Sequence, residues 1–239
     1  MLIQVGEKRT VAFDLRLAVW LALAAGAVNA AGFRSLGYFS ANMTGNVSAM
    51  SDMLALRQWI VAAGLFALLA AFIFGAFISA VLIEAGRRRQ IRGIYALSIL
   101  LEALLLLALT VFELTLPQSV SAMVMLAGLS FLMGLQNAAT TRISDARVRT
   151  SHVSGIATDI GIELAALLDR KNDTKPIMRS RLKLHSATLL SFFGGGVAGV
   201  LGYEWIGPYV FAVVSVFLLA LSLPALRHSY AARSSGSQP

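Results

Sequence analysis

A short polar pattern occurs twice in the chain, each time just after a long apolar run, and its residues are of types that bind small polar solutes. Gly26 and Asn29 recur with the same spacing as Gly134 and Asn137. The Thr44-Gly45 step recurs as Ser154-Gly155, at nearly the same sequence offset. Asparagine offers one acceptor and two donors, and a hydroxyl can play both roles. The repeat is therefore the first candidate for a solute-binding site.

The polar residues of both copies are candidate solute contacts: Asn29, Asn42, Thr44, Gly45, Asn46, Asn137, Ser154 and Gly155. The hydroxyl of Thr44 or Ser154, directly before a glycine, is well placed to cap a helix N-terminus. A helix N-terminus presents free N–H groups and a partial positive charge, which suit an anion. The pattern leaves an alternative open, which is two interfacial helices with capped ends and no ligand.

Three charged residues are candidates for roles beside this pattern. Glu102 falls near the middle of an apolar run, where a charge costs roughly 2.5–3.5 kcal/mol on insertion scales. It could couple transport by exchanging a proton, pair with an arginine, or be a protonated carboxyl bonded to a neighbouring helix. Arg34 and Arg142 are related by the same offset as Asn29 and Asn137, and they could contact an anion. The alternative for both arginines is that they reach the membrane interface.

The composition is that of a membrane protein. The chain is 57% hydrophobic and 13% charged, whereas roughly a quarter of the residues in a soluble domain are charged. Six stretches approach the ~20 residues that a bilayer requires: 17–33, 59–83, 94–112, 120–141, 184–203 and 208–226. The first could be a signal peptide, but Gly26 and Asn29 recur in the second half, which a cleaved leader would not need. The sequence therefore predicts an all-α, polytopic helical bundle of about six transmembrane spans.

The basic residues sort by loop and predict an orientation. Only Arg34 and Arg57 fall on one side of a six-span arrangement, and the other arginines and lysines fall on the opposite side. The positive-inside rule then places both termini in the cytoplasm. The net charge of +8 is thereby assigned to topology, and no nucleic-acid partner is predicted. The absence of cysteine excludes disulfides and thiol chemistry.

The two copies also predict how the spans are organised. Each repeat has three spans, which is an odd number, so the second copy must enter the membrane from the opposite face and form an inverted pair. Small residues at Gly75 in span two, and at Gly195 and Gly199 in span five, form stripes that allow close helix packing. Each repeat also contains a broken or short helix, predicted at 47–56 and 156–168. The predicted segments are a cytoplasmic N-terminal segment (1–16), two three-span repeats (17–115 and 116–226) and a disordered cytoplasmic tail (227–239).

One stretch resembles a known family. Val28-Asn29-Ala30-Ala31-Gly32-Phe33, followed by Asn42-Met43-Thr44-Gly45-Asn46, resembles the signature of the YoaK family, and Gly134-Leu135-Gln136-Asn137-Ala138 with Val153-Ser154-Gly155 resembles its second-half motif. The resemblance implies a multi-pass protein of the bacterial inner membrane with a transport role and no established substrate. The family usually has Asp at the position of Asn29 and Thr at that of Ser154. The missing carboxylate argues against proton or cation coupling at position 29.

Enzyme chemistry is not predicted. His152, Ser154 and Asp159 are hydrolase residue types, but rhomboid-type proteases need a Gly-x-Ser-Gly step and a histidine from another span, and this chain lacks that arrangement. Asp159 and Glu163 share a helix face, and we expect them to pair with nearby arginines rather than bind a metal. The sequence contains no phosphate-binding loop, and no cofactor is expected.

The sequence thus favours a secondary transporter or facilitator of a small polar or anionic solute, with that solute and the lipid bilayer as its partners. The competing prediction is a non-transporting membrane scaffold or assembly partner, in which the Gly195/Gly199 stripe would form a homodimer face.

Overall fold

The computed structural model describes residues 11–91, 93–168 and 173–234, and the regular structure in these segments is α-helical. The described segments contain eight helices in chain order: α1 (Val11–Leu36), α2 (Met43–Ala55), α3 (Trp59–Arg88), α4 (Ile94–Thr115), α5 (Gln118–Ile143), α6 (Val153–Leu168), α7 (Lys175–Ile206) and α8 (Tyr209–Ser234). Most of the predicted N-terminal segment (1–10) and the end of the predicted tail (235–239) lie outside the described residues.

Six helices, α1, α3, α4, α5, α7 and α8, are long and apolar enough to cross a membrane, which confirms the six predicted spans. Several extend beyond their apolar runs, because helical hydrogen bonding continues past the first charged residue. α1 begins at Val11 and α7 at Lys175, for example. α8 continues to Ser234, so residues 227–234 are helical and the prediction of a disordered tail is wrong there. These residues include Ala231, Ala232 and Arg233, which are good helix formers.

The two short helices, α2 and α6, begin earlier than the sequence predicts. The N-cap of α2 is Asn42, whose side-chain oxygen accepts a hydrogen bond from the Gly45 N–H at 3.1 Å. Thr44 is therefore the second residue of α2, and Ser154 is the second residue of α6. The prediction that these two hydroxyls cap the helices is wrong, because each helix has already begun before the hydroxyl is reached. In α2 the cap is an asparagine, which is a stronger N-cap than threonine.

Close crossings of two helix pairs hold the bundle together. α1 packs along α7, and α3 packs along α5. Gly26 and Gly134 meet the backbone of Phe192 and Phe72, respectively, and any added Cβ would overlap the carbonyl oxygen of that residue. Gly195 and Gly199 meet the α1 backbone in the same way, at Leu23 and Ala27. α1 therefore covers the stripe that the sequence offers as a homodimer face, and Gly75 is likewise covered, by α5 at Phe131.

The remaining helices complete the bundle around these pairs. α4 packs on α8 and α5, while α2 lies on α3 and α6 lies on α7. α4 follows α3, α5 follows α4 and α8 follows α7 after only a few residues, so the spans of each consecutive pair run in opposite directions. α1 ends at the same end of the bundle at which α7 ends, and we call it the Arg34 end. α3 and α5 end at the opposite end, which we call the Arg142 end.

The lipid-facing surface is provided largely by α3 and α7. Large apolar side chains on both helices are exposed, including Ile73, Phe77, Leu190 and Phe193. α1 is the most buried of the six spans, with 67% of its most apolar window inside the bundle. Two polar residues of α1, Asp14 and Asn29, are accordingly buried inside the bundle.

We predict that Gly195→Ala lowers stability by about 1–3 kcal/mol, the usual cost of overpacking, because the new Cβ meets the Leu23 carbonyl. The neighbouring Gly194 has no atom within 4 Å of an added Cβ, so Gly194→Ala should gain roughly 0.5–1 kcal/mol from helix propensity. Melting temperatures of the two variants in detergent compare them directly. If Gly195→Ala melts no lower than Gly194→Ala, the close contact between α7 and α1 at Gly195 would be contradicted.

Candidate functional site

A cavity of about 950 Å³ lies between α1, α3, α5 and α7, and the first residues of α2 and α6 enter it. Its floor and walls combine amide, hydroxyl, aromatic and guanidinium groups. The lining residues are Asn29, Phe39, Ala41, Asn42, Met43, Thr44, Phe72, Ala76, Ala80, Asn137, Ala138, Thr141, Arg142, Arg149, Ser151, His152, Val153, Ser154, Ala157 and Phe192.

The structure brings together most of the polar residues that the sequence singles out. The lining includes Asn29, Asn42, Thr44, Asn137 and Ser154, together with one of the two candidate arginines, Arg142. The lining does not include Gly45, Asn46, Gly155, Arg34 or Glu102. The residues of the first group thus face the cavity, and those of the second do not.

Each asparagine of the repeat holds the segment that precedes a short helix. The Ala41 N–H donates to Asn29 Oδ1 at 2.8 Å. Asn137 Nδ2 donates to Ser151 Oγ at 2.6 Å and to the Met133 carbonyl at 2.7 Å. Ala41 and Ser151 correspond to one another, at the offset that relates Thr44 to Ser154. Non-helical backbone inside an apolar bundle needs polar partners. The Asn29 bond supplies one to the first break, while the Asn137 bond fixes the Ser151 side chain in the second break.

The glycines and Asn46 support the lining from behind. A Cβ at Gly45 would overlap the Asn42 side chain, and a Cβ at Gly155 would overlap the His152 ring. Glycine at both positions therefore leaves room for the side chain three residues before it. Asn46 is buried, and its Nδ2 donates to the Phe39 carbonyl at 3.1 Å. Their roles in the structure are to shape the breaks.

Glu102 is buried and connected to the cavity wall through α5. Its Oε1 accepts a hydrogen bond from Gln136 Nε2 at 2.9 Å, and Gln136 Oε1 accepts one from Thr150 Oγ1 at 3.0 Å. Thr150 directly precedes Ser151, which lines the cavity. The carboxyl group does not line the cavity but is connected to its wall through Gln136 and Thr150. Sequence comparison of the halves misses Gln136, because its counterpart in the first half is Val28.

The cavity is electropositive. Arg142 and Arg149 both line it, no Asp or Glu is among the described lining residues, and the first turns of α2 and α6 open onto it. Two helix N-termini add partial positive charge to the two guanidinium groups. Arg149 was not predicted from the sequence, because Phe39 stands at the corresponding position of the first copy. Arg34 instead forms an ion pair with Glu204.

The two acidic residues of α6 lie away from the cavity. Glu163 is buried and pairs with His185, with 2.9 Å between Oε1 and Nδ1, so the prediction of an arginine partner is wrong for Glu163. α6 packs on α7, and this contact places the histidine of α7 opposite the carboxylate. Asp159 is exposed. Across the described segments, no three His, Cys, Asp or Glu residues are grouped so that they could hold a metal ion.

Six apolar helices around a cavity that contains polar side chains are the arrangement of a multi-pass membrane protein. A family model described as "Protein of unknown function (DUF1275)" matches residues 17–223, which is most of the chain. The protein belongs to this family. No curated protein and no solved structure matches it.

We predict that Asn42→Ala frees the start of α2 at a cost of about 1 kcal/mol, the usual value of an N-cap, because the Gly45 N–H loses its partner. Asn42→Asp keeps an acceptor oxygen at the same place and is the matched control. Hydrogen exchange at Gly45 should accelerate in Asn42→Ala only. Equal exchange rates in both variants would contradict the assignment of Asn42 as the cap.

Proposed function

We propose that this protein is a secondary transporter or facilitator of a small polar or anionic solute. The observation that carries this proposal is the shared cavity, to which both halves contribute corresponding residues. The corresponding lining pairs are Asn29 with Asn137, Phe39 with Arg149, Ala41 with Ser151, Asn42 with His152, Met43 with Val153, Thr44 with Ser154, and Phe72 with Phe192. A solute site formed where two repeats meet is the arrangement of many secondary transporters.

The helix pairing supports two inverted three-span repeats. The packing of α1 on α7 corresponds to that of α5 on α3, and the packing of α2 on α3 corresponds to that of α6 on α7. The glycine contacts also correspond, since Gly26 meets Phe192 as Gly134 meets Phe72. α1 and α5 start from opposite ends of the bundle. Corresponding contacts with opposite directions are what a pseudo-two-fold axis in the membrane plane would produce.

The charges of the lining favour an anion among polar solutes. Arg142 and Arg149 can each donate two parallel hydrogen bonds to a carboxylate or an oxyanion. Thr44, Ser154 and Asn29 add neutral donors, whereas both N–H groups of Asn137 are already donated to Ser151 and Met133. The energy source of a chain without a nucleotide-binding loop would be a solute or ion gradient.

We place the Arg142 end and both termini in the cytoplasm, and the protein in a bacterial inner membrane. The arginine-rich connections support the orientation. Arg87, Arg88 and Arg89 lie at the end of α3, and Arg147 and Arg149 follow α5. All five are at the Arg142 end, while Arg34 and Arg57 lie at the other end.

Glu102 is our candidate for coupling. Its carboxyl group would act through Gln136 on the segment before α6, rather than by touching the solute. The first half has no equivalent connection, because Val28 replaces Gln136 and the buried Ser40 hydroxyl has no hydrogen-bond partner among the described residues. Because only the second half has this connection, a proton on Glu102 would affect the solute site through the second half alone.

A scaffold role is less well supported. The sequence supports it only through the Gly195/Gly199 stripe as a homodimer face. In the structure α1 of the same chain covers both glycines. A scaffold would also have no use for an electropositive cavity in its interior, whereas a transporter requires one.

We predict that a thermal-shift panel on detergent-purified protein identifies stabilising anions among phosphate, sulfate, nitrate and simple carboxylates, compared with sugars, nucleobases and zwitterionic amino acids. A ligand at about 100 times its Kd should add roughly 2.7 kcal/mol of stability. Arg142→Gln removes a charged donor from the lining and should cost about 1.5–3 kcal/mol of affinity. This corresponds to a Kd about 10- to 150-fold weaker.

Thr44→Val, which keeps the shape of the side chain, should also weaken the shift and abolish uptake into proteoliposomes. Ser51→Ala is the control on the same helix, because this hydroxyl donates to the Val47 carbonyl and lies outside the lining. The proposal fails if no compound raises the melting temperature, or if the stabilising anion binds wild type and Arg142→Gln equally.

We predict that Glu102→Gln retains anion binding and folding but makes uptake insensitive to a pH gradient. The new amide keeps an oxygen acceptor for Gln136 and cannot exchange a proton. Glu102→Leu should in addition lower the melting temperature, since it leaves the buried Gln136 amide unpaired at a cost of about 1–3 kcal/mol. If uptake by Glu102→Gln responds to the pH gradient as wild type does, the coupling role is contradicted and Glu102 has a structural role only.

A further inference from the structure

We propose that the structure is the state open at the Arg142 end, in which Arg34 and Glu204 close the other end. We propose further that Arg142 and Glu84 close the Arg142 end in the alternate state. This inference rests on the proposed transport function and identifies the residues that control access to the same cavity. It is carried by a comparison of corresponding residues at the two ends of the bundle.

The cavity is symmetric at its centre and one-sided at its mouth. Ala80, Thr141 and Arg142 line the cavity toward the Arg142 end. Their counterparts, Val200, Phe33 and Arg34, do not line it. The cavity therefore extends from the corresponding asparagines toward one end of the bundle only.

The Arg34 end is closed by an ion pair and an aromatic stack. Arg34 at the end of α1 pairs with Glu204 at the end of α7. Phe33 and Phe39 stack with their ring centroids 4.1 Å apart and their planes within 9°. Phe39 belongs to the segment before α2 and also lines the cavity. The stack therefore lies between the cavity and the Arg34 end.

A second layer of hydrogen bonds joins the same helices at this end. The Tyr203 hydroxyl donates to Ser35 Oγ at 2.9 Å, and Ser35 Oγ donates to Glu113 Oε1 at 3.1 Å. These bonds tie α7 and α1 to the end of α4. Three helices are thus fastened together where α1 ends.

The corresponding charged groups at the Arg142 end are present but are not paired with each other. Glu84 corresponds to Glu204, at the offset that relates Gly75 to Gly195, and it bonds Arg88 on its own helix, with 3.1 Å between Nε and Oε1. Arg142 lies in the last turn of α5, the helix beside α3, and no hydrogen bond or ion pair holds it among the described residues. Thr141 and Arg149 replace the two phenylalanines, so no ring stack fills this mouth.

The chemistry of the pairs suits a gate. An ion pair of exposed side chains contributes about 0–1 kcal/mol, so it can form and break without trapping one state. The two ends are also coupled, because α1 with α7 and α3 with α5 are rigid, closely crossed pairs. Rocking of one pair against the other would exchange the two ion pairs around a fixed solute site.

The chain has no cysteine, so single cysteines can report access at each end. Ala80→Cys and its counterpart Val200→Cys are labelled with a charged maleimide in detergent, without any solute. Cysteine at position 80 should react faster than cysteine at position 200. Adding Arg34→Gln should raise the rate at position 200 by about fivefold, the upper range for one exposed ion pair, and lower the rate at position 80.

A charge-swapped chain tests the pair itself. Arg34→Glu combined with Glu204→Arg should return both rates to those of the single-cysteine parents, while Arg34→Glu alone should not. Glu84→Gln removes the residue proposed to close the Arg142 end in the alternate state, so it should lower the rate at position 200. Melting temperatures and size-exclusion profiles identify any variant that fails to fold. If a single variant does not fold, the labelling rates of the charge-swapped chain are used instead.

The inference is overturned if the folded Arg34→Gln or Arg34→Glu chain labels as its parent does, or if position 200 reacts as fast as position 80 at the start. Either result would leave the solute-binding test of the proposed function unaffected, since labelling uses no solute. Failure of that test, in turn, would not change the labelling rates. The two proposals can therefore fail separately.

Discussion

The constraint on which the rest of this structure depends is the satisfaction of backbone polar groups where the chain stops being helical inside an apolar bundle. At membrane depth such backbone is tolerated only where protein groups or a water-filled cavity supply those bonds. Before α2, Asn29 accepts a hydrogen bond from the Ala41 backbone N–H, and before α6 the corresponding Asn137 holds the side chain of Ser151. Because both side chains come from long, buried helices, the breaks are fixed relative to the spans, and the starts of the two short helices face one cavity.

The parts of the fold that could be predicted follow from periodicity and length. Six apolar runs give six spans, because a bilayer demands long, continuous apolar helices. The two short helices could be predicted because a glycine and polar residues interrupt each pattern. The helix ends could not be predicted to the residue, since hydropathy falls at charged residues such as Lys175 while helical hydrogen bonding continues. The same reason explains the helical residues 227–234.

The candidate site was predictable where the two copies share residue types, and not where they differ. Asn29, Asn137, Thr44 and Ser154 line the cavity, and all of them stand out in the alignment of the halves. Arg149 and the connection from Glu102 through Gln136 have no equivalents in the first half, so the alignment passes over them. The N-cap at Asn42 could not be predicted, because the capping residue is determined by backbone angles. Residue type and spacing do not fix those angles.

The differences between the halves carry as much of the argument as their similarities. A strictly symmetric pair of repeats would present the same mouth at both ends, and the cavity would open at both or at neither. Here Phe33 and Phe39 stand where the second half has Thr141 and Arg149, so the two mouths differ in chemistry as well as in shape. The open mouth carries guanidinium groups that can attract an anion, and the closed mouth carries an aromatic seal backed by an ion pair. The arginines at corresponding positions of the two halves thus have two different states in one structure, and the simplest mechanism that uses both is an exchange between them.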